Sequence, residues 1–237
     1  MLGIKNNLFQ IRQKVALLEK EYGLKENSVK ILAVSKKQSL EKIKAALDCG
    51  QIDFGENYLQ DALPKIRALS NSNIIWHFIG RVQSNKTKHL AKYFAWVQSI
   101  DNIEIAELLN KFRPEDLPPL NVCIQINPTH DKNKAGIAEK EMLNLAEKIL
   151  LLPRLKLRGL MTIPEEFPDF ASQYNIFLEV SRLFSTLKAE LTKIPHAQNL
   201  ELDTLSMGMS GDFAAAIKAG STMIRIGTAI FGERKND

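Results

Sequence analysis

The chain has 237 residues, of which 45% are hydrophobic and 25% are charged, and its formal net charge is +5. This composition is typical of a soluble globular protein that is long enough to bury one sizeable core. The positive excess is spread along the chain, without a basic run interleaved with aromatics, which argues against nucleic-acid binding. No segment has the length of a membrane span or the apolar core of a signal peptide. We therefore expect a cytoplasmic protein without membrane or nucleic-acid partners.

The cysteine and histidine content argues against a metal site. Cys49 and Cys123 each lie in or beside an apolar segment, and neither belongs to a CxxC pair. Four histidines show no ligand spacing with these cysteines: His77, His89, His130 and His196. We therefore predict two free thiols in a reducing compartment and no bound zinc.

The first predicted element is an amphipathic helix over residues 2–22. Its apolar residues recur at steps of three and four: Ile4, Leu8, Ile11, Val15, Leu18 and Tyr22. Gly23 follows as a plausible stop. Because this helix precedes the first strand, we expect it either to plug or to flank the fold that follows.

The second element is a short apolar strand over residues 29–35 that ends at Lys36. Such a run is typical of a strand buried on both faces of a parallel sheet. If the sheet closes into a barrel, Lys36 lies at the face where such barrels carry their active sites. An amine at an apolar mouth is favoured in its neutral form and can attack an aldehyde to form a Schiff base. The structural alternative is that Lys36 ends the strand and points into water.

Strand-like and helix-like segments then alternate to the end of the chain. Strands are predicted at 29–35, 52–55, 74–80, 95–100, 120–126, 155–163, 202–207 and 223–226. Helices are predicted at 40–47, 57–69, 87–93, 103–112, 138–152 and 170–191, and from about 211. The alternation, with short connections and no shift in composition, favours a single-domain α/β protein over residues 1–237, a closed (β/α)8 TIM barrel with an extra N-terminal helix. A doubly wound open sheet is the alternative.

Two glycine-containing turns near the C-terminus predict an anion site. Residues 206–212 join the seventh strand to a short helix, and Ser210 is placed to cap that helix. Gly227 and Thr228 follow the last strand and offer further backbone amides and a hydroxyl. In a barrel, the loops after strands seven and eight commonly hold a phosphate group. Each turn alone is an ordinary connection, but the two in succession favour a phosphate site.

Two charged residues near these turns have more than one interpretation. Asp212 is best explained as the start of a helix, with its carboxylate pointing away from a phosphate that it would repel. Arg225 lies in the last apolar strand, where a charge is costly unless it is paired. It either pairs with a carboxylate such as Asp203 or faces a ring nitrogen of a ligand.

Polar residues at other strand ends would share the same rim. Asn57 either caps a helix or binds the edge of a ligand. His77 lies between two aromatic residues of the third strand, where a satisfied core histidine is the common role, although it can point into a barrel. The loop 83–86 and the end of the sixth strand, Met161 and Thr162, lie on this rim as well.

An ordered set of motifs gives the chain a specific resemblance. The segments are 33–36 (AVSK), 54–58 (FGENY), 76–81 (WHFIGR), 83–86 (QSNK), 134–136 (KAG), 159–161 (GLM), 205–210 (LSMGMS) with Asp212, and 225–232 (RIGTAIFG). Together they resemble the pyridoxal 5′-phosphate (PLP) homeostasis proteins, whose fold is that of the N-terminal domain of alanine racemases. The resemblance extends over nearly the whole chain and implies the same single barrel.

The resemblance also implies roles for individual residues. Lys36 corresponds to the lysine that forms the aldimine with PLP, and Arg225 to the arginine facing the pyridine nitrogen. The remaining positions implied to bind the cofactor are Asn57 and His77 in the pocket, Met207 and Met209 near the ring, and Ser210, Gly227 and Thr228 around the phosphate. Two positions depart from the family pattern, since Ala214 replaces an acidic residue and Ser39 replaces a proline. Neither departure affects the implied contacts with PLP.

The predicted function is a non-catalytic one. An arginine at the ring nitrogen disfavours its protonation and weakens the ring as an electron sink. Racemases of this fold take a second base from an additional β-domain, which a chain ending just past the last strand is not expected to have. We expect a monomer without catalytic residues that holds PLP as a Schiff base and buffers it or delivers it to apo PLP-dependent enzymes. The alternatives are a PLP-dependent amino-acid racemase and a barrel enzyme that acts on a sugar phosphate without PLP.

Overall fold

Parallel strands form the centre of the fold in the computed structural model, which describes residues 2–129, 134–195 and 200–232. The strands are β1 (Lys30–Val34), β2 (Asp53–Glu56), β3 (Ile75–Phe78), β4 (Trp96–Ile100), β5 (Leu120–Ile126), β6 (Leu155–Thr162), β7 (Thr204–Ser206) and β8 (Met223–Ile226). They pair in chain order, and β1 pairs with both β2 and β8. The sheet is therefore a closed barrel, which confirms the predicted fold and excludes the open sheet.

Helices connect the strands on the outside of the barrel. They are α1 (Leu2–Glu21), α2 (Leu40–Leu47), α3 (Leu59–Ala68), α4 (Thr87–Tyr93), α5 (Ile103–Phe112), α6 (Glu139–Leu150), α7 (Phe170–Leu191), α8 (Phe213–Lys218) and α9 (Thr228–Phe231). A 3₁₀ turn over Ser84–Lys86 precedes α4. The periodicity predicted every helix except α9 and this turn, because elements of three or four residues have no apolar period to detect.

Helix α1 flanks the barrel and does not plug it. It packs against α2, α8 and α9, and Asn7 Nδ2 donates to the Ile230 carbonyl at 2.9 Å. Near its C-terminal end, the Glu19 carboxylate accepts the backbone N–H groups of Asn27 and Val29 at 3.1 and 2.8 Å. Gly23 follows with a positive φ of 66°, which supports its predicted role as a helix stop.

The core has an outer layer and an inner layer. The outer layer lies between helices and strands and contains the large apolar residues of both, such as Phe54, Phe94 and Phe177. Two small inner clusters fill the barrel, one around Leu32, Ile79 and Met223, and the other around Trp96, Cys123 and Met161. Because β1 is covered on both faces, its sequence shows an apolar run over residues 31–34 and not an alternating pattern.

Three predicted helix caps differ in the structure. Ser39 occupies the N-cap position of α2, but its side chain makes no cap hydrogen bond. Asp212, and not Ser210, precedes α8, and Tyr58, and not Asn57, precedes α3. Ser210 and Asn57 are therefore not used as caps, which leaves both side chains for the site described below.

Both cysteines within the described residues are free thiols, as predicted. Cys49 is half-buried and Cys123 is buried. Burial raises the pKa of the Cys123 thiol, which keeps it in the neutral form. His130 and His196 lie outside the described residues.

Candidate functional site

A cavity of about 470 Å³ lies at the C-terminal ends of the strands. Seven of the nine residues predicted to bind a cofactor line it: Lys36, Asn57, Met209, Ser210, Arg225, Gly227 and Thr228. Apolar walls are provided by Val34, Ile79, Ile163 and Phe167. The cavity therefore combines an amine, a guanidinium group, backbone turns and apolar surface, as a binding site for a small aromatic anion requires.

Lys36 stands just beyond the end of β1 and is half-buried. The Ser35 N–H donates to the Gly55 carbonyl at 2.9 Å, which extends the pairing of β1 and β2 up to the residue before the lysine. The chain then turns sharply, because Lys37 adopts a left-handed φ of 59°. This turn ends the strand at Lys36 and leaves its side chain at the cavity.

A buried polar cluster lies behind the Lys36 loop. Lys65 of α3 donates to the Ser35 carbonyl at 3.0 Å, to Glu56 Oε1 at 3.0 Å and to Asp61 Oδ2 at 2.8 Å. Ser35 Oγ donates to the same Glu56 oxygen at 2.6 Å, and the Lys37 N–H donates to Asp61 at 2.7 Å. The backbone on both sides of Lys36 is thus held by two side chains of α3, and Glu56 of β2 holds the Ser35 hydroxyl.

This cluster was not predicted from the sequence. Asp61 and Lys65 have the i, i+4 spacing of a helical ion pair, which was the one available signal. Glu56 belongs to the motif over residues 54–58, but its partner is on another element. Burial raises the pKa of Glu56 to about 7, although Lys65 and Ser35 act in the opposite direction.

Asn57 brings an unsatisfied polar atom to the cavity. Its Oδ1 is buried and has no hydrogen-bond partner within the part of the chain that the structure describes. A buried acceptor without a donor is unfavourable, so this atom is available for a ligand. Of the two roles predicted for Asn57, the structure excludes the helix cap and retains contact with a ligand.

The turn after β7 is shaped for close backbone approach. Gly208 has a φ of 94°, and its carbonyl accepts the Arg225 N–H at 2.9 Å. Within the described ranges, the N–H groups of Ser210 and Gly211 have no protein acceptor. Gly227 and Thr228 line the same cavity from the turn after β8. The two turns therefore meet, as predicted, and offer amides and hydroxyls to an anion.

Asp212 is one of the lining residues of the cavity, and its Oδ1 accepts the Met209 N–H at 2.5 Å. The carboxylate is thus bonded to the backbone of its own turn, and its orientation away from a bound phosphate stays a prediction. Burial raises the pKa of Asp212, and the Met209 hydrogen bond and Arg225 oppose that rise. The carboxylate closes the turn 209–212 with this hydrogen bond, as acidic residues commonly do in turns.

Arg225 is buried and reaches the cavity floor. Its Nη1 donates to Ser206 Oγ at 3.0 Å and its Nη2 to the Thr162 carbonyl at 2.7 Å. The alternative pairing with Asp203 is wrong, because Asp203 accepts from Arg158, with 3.0 Å between Arg158 Nε and Asp203 Oδ1. Burial lowers the pKa of Arg225 to about 10, so the guanidinium stays charged at neutral pH.

Two of the residues predicted to contact the cofactor are buried outside the described lining of the cavity. His77 and Met207 are fully buried and are absent from its described lining. His77 stacks on Trp96 with 5.1 Å between ring centroids, and its ring nitrogens are 2.9 Å from Asp53 and from Gln98. Met207 belongs to the outer core. Neither side chain therefore lines the cavity as described, and their contact with a cofactor stays a prediction.

Comparison with known proteins assigns the family. The alanine racemase N-terminal domain family matches residues 7–235. A pyridoxal phosphate homeostasis protein from Haemophilus influenzae is 47% identical over 235 residues, covering 98% of this chain and 97% of that protein. The chain belongs to the pyridoxal phosphate homeostasis protein family. This confirms the resemblance predicted from the motifs.

Solved structures of related proteins agree with this family and its fold. PipY of Synechococcus elongatus, solved with PLP bound, has a TM-score of 0.83 and 30% identity, with 97% of this chain and 100% of that chain covered. An alanine racemase from Clostridium difficile has a TM-score of 0.70 at 14% identity. The match covers 100% of this chain but 58% of the racemase, so the similarity to that enzyme concerns the barrel fold alone. No helix among the described residues is long and apolar enough to span a membrane.

Proposed function

We propose that this protein binds PLP at Lys36 and serves intracellular PLP homeostasis by holding the cofactor and releasing it. The observation that carries the proposal is the cavity, which brings Lys36, Asn57, Arg225 and the two glycine turns together. A PLP-bound family member with the same fold supports the choice of ligand. When bound, PLP supplies an aldehyde that condenses with a primary amine with loss of one water.

The residues of the cavity fit the parts of PLP. Lys36 supplies the amine at the mouth of the barrel. Ser210, Gly211 and Thr228 would hold the phosphate through backbone N–H groups and hydroxyls, which form strong hydrogen bonds with anions. The unpaired Oδ1 of Asn57 indicates that the amide of this residue contacts the ligand.

Arg225 would determine the electronic state of the ring. Its guanidinium is held by Ser206 and Thr162 and stays charged, so a nearby ring nitrogen remains unprotonated. An unprotonated ring accepts electrons poorly, which disfavours chemistry on a bound amino acid. Racemases work with such a ring by using a second base on the opposite face of the substrate, so this feature supports holding without turnover only together with the lack of such a base.

The proposal is tested by the visible absorption spectrum with added PLP, followed by borohydride reduction and peptide mapping. We expect wild type to develop a band of the lysine-bound cofactor and to carry the pyridoxyl mass on Lys36. Lys36→Ala removes the only amine of the described cavity lining and should abolish the band.

Lys37→Ala is the matched control, because Lys37 is adjacent but exposed. It should retain the band and the label. No band in wild type, or a label spread equally over surface lysines, would contradict the proposal and favour a barrel enzyme that binds a sugar phosphate.

A further inference from the structure

A continuous chain of hydrogen bonds runs through the interior of the barrel from the cavity floor. Arg225 Nη1 donates to Ser206 Oγ at 3.0 Å, and Ser206 Oγ donates to Gln98 Oε1 at 2.7 Å. Gln98 Nε2 lies 2.9 Å from His77 Nδ1, and His77 Nε2 lies 2.9 Å from Asp53 Oδ1. This hydrogen-bond chain links residues of five strands, β8, β7, β4, β3 and β2, and ends at the first residue of β2, at the opposite end of the barrel.

The groups at the two ends of this hydrogen-bond chain, Arg225 and Asp53, fix which atom donates and which accepts at each step. A guanidinium can only donate hydrogen bonds and an ionised carboxylate can only accept them. Ser206 Oγ therefore accepts a hydrogen bond from Arg225 and donates its own hydroxyl proton in a hydrogen bond to the Gln98 oxygen. The Gln98 amide nitrogen then faces His77, so Nδ1 of His77 must be the acceptor and Nε2 must carry the proton toward Asp53.

A second contact supports this orientation of Gln98. Its Nε2 also lies 3.1 Å from the sulfur of Met223, so both amide protons have a partner. A rotated amide would place its oxygen against that sulfur and would require a proton on His77 Nδ1. His77 Nε2, without a proton, would then oppose the Asp53 carboxylate. A hydrogen-bond chain with donors and acceptors reversed is therefore unfavourable at two contacts, the one between Gln98 and Met223 and the one between His77 and Asp53.

The side chains that form this hydrogen-bond chain are shielded from water along most of its length. Ser206, Gln98 and His77 are 0% exposed, and Arg225 is 3% exposed. Hydrogen bonds between buried groups are strong when every group has a partner. Removing one partner is costly, because the other group stays buried without a hydrogen bond. Burial lowers the pKa of His77 against the opposing effect of Asp53, and Lys30 acts in the same direction as burial, which agrees with a neutral ring.

We propose that Asp53, His77, Gln98 and Ser206 are positioning residues that hold the Arg225 guanidinium in one orientation beneath the ligand. In this proposal His77 acts on the site through its hydrogen bonds to Gln98 and Asp53 and not by contact with the ligand. The inference rests on the proposed function only for its effect on bound PLP, because the orientation of the chain is a property of the protein without ligand.

The first test uses ¹⁵N-histidine NMR of the ligand-free protein at neutral pH, with His77 assigned by its absence in His77→Asn. We expect wild-type His77 to carry its single ring proton on Nε2. Ser206→Ala removes the proton that fixes Gln98 without touching His77, and should shift His77 toward a mixture of tautomers. Ser221→Ala, which removes another buried hydroxyl bonded to backbone carbonyls, should leave the His77 signals unchanged.

Gln98→Glu provides a second variant with a different expected result. A carboxylate at this position would accept from Ser206 and also from His77, so His77 should acquire a proton on Nδ1 as well. A His77 ring that keeps the same single Nε2 proton in both Ser206→Ala and Gln98→Glu would overturn the proposal.

The second test measures PLP affinity and the pH midpoint of the visible band. Ser206→Ala should weaken PLP binding about fivefold, the ratio expected for one lost hydrogen bond, and should shift the midpoint relative to Ser221→Ala. If wild type binds PLP and the two variants behave alike, the positioning role is wrong. Failure of wild type to bind PLP would refute the proposed function, while the NMR result would still decide the direction of the chain.

Discussion

Glu56 is a carboxyl group held away from water directly behind the loop that carries Lys36. One of its oxygens accepts from both Ser35 and Lys65, and the other has no partner among the described residues. Its pKa is raised from 4.5 to about 7, mainly by burial. The folded protein therefore binds more protons at this residue than the unfolded chain between these two pH values.

This difference predicts a pH dependence of stability. Because the folded state holds the Glu56 proton that the unfolded state has released, the free energy of unfolding should fall as pH rises from 4.5 to about 7. The decrease attributable to Glu56 is on the order of 1–3 kcal/mol. Glu56→Gln should remove this part of the slope in urea denaturation curves measured across that range.

Glu115→Gln is the matched control for Glu56→Gln, because this carboxylate is 85% exposed and pairs with Arg154 at the surface. It should keep the wild-type slope. Equal slopes for Glu56→Gln and wild type would show that the carboxyl is already ionised in the fold.

At the residue scale, the sequence was informative where a side chain follows a strand. Lys36 and Arg225 were placed correctly at one cavity because their strands run parallel and end at the same rim. Lys65 was not found, because its role depends on the approach of α3 to the end of β1. That approach is a contact between elements, and no local pattern encodes it.

At the element scale, the turns after β2 and β3 are packed against each other at the site. A Cβ atom on Gly80 would lie 2.0 Å from the Asn57 carbonyl oxygen. Ser99 Oγ also donates to the Gly80 carbonyl at 2.5 Å, which holds this turn against β4. Glycine at this position therefore allows the backbone that carries Asn57 to approach β3.

Gly80→Ala should consequently displace the Asn57 backbone from the cavity. We expect PLP affinity to fall at least about tenfold and the free energy of unfolding to fall by roughly 1–3 kcal/mol, because backbone and not a flexible side chain must move. Isothermal titration with PLP and urea denaturation measure the two effects.

Gly3→Ala is the control for this substitution, since no atom lies within 4 Å of a Cβ at that position of α1. Alanine there should change the free energy of unfolding by no more than about 0.5 kcal/mol, because Gly3 lies in the first turn of the helix, and should leave PLP affinity unchanged. Full PLP affinity in Gly80→Ala would mean that the contact with Asn57 does not determine the site.

At the scale of the whole molecule, barrel closure gathers the residues of the cavity from distant parts of the chain. The titratable side chains among its described lining residues are Lys36, Glu166, Asp212 and Arg225. Asp212 already accepts the Met209 N–H, and no tyrosine or histidine lines the described part of the cavity. Racemisation requires a base on each face of the substrate, and Glu166 is the one carboxylate of this set that is not already bonded to the turn 209–212.

The proposed function, holding PLP and releasing it, predicts no amino-acid turnover. With PLP present, exchange of the α-hydrogen of L-alanine with deuterated solvent, followed by NMR, should proceed no faster than with free PLP. Exchange well above that background in wild type, lost in Lys36→Ala, would instead establish an enzyme. Glu166 would then be the candidate for the second base, and Glu166→Gln would test it.

Buried strands and amphipathic helices leave periodic patterns along the chain, and these predicted a parallel α/β fold whose polar strand ends share one rim. Closure into a barrel was the favoured of two predictions, and only the pairing of β1 with β8 excluded the open sheet. Tertiary structure alone decided the polar partners inside the barrel, since Ser206 and Gln98 meet across a separation of 108 residues. It also placed His77 in an interior chain of hydrogen bonds, because strand register sets the depth of each inward side chain and no local pattern encodes that register.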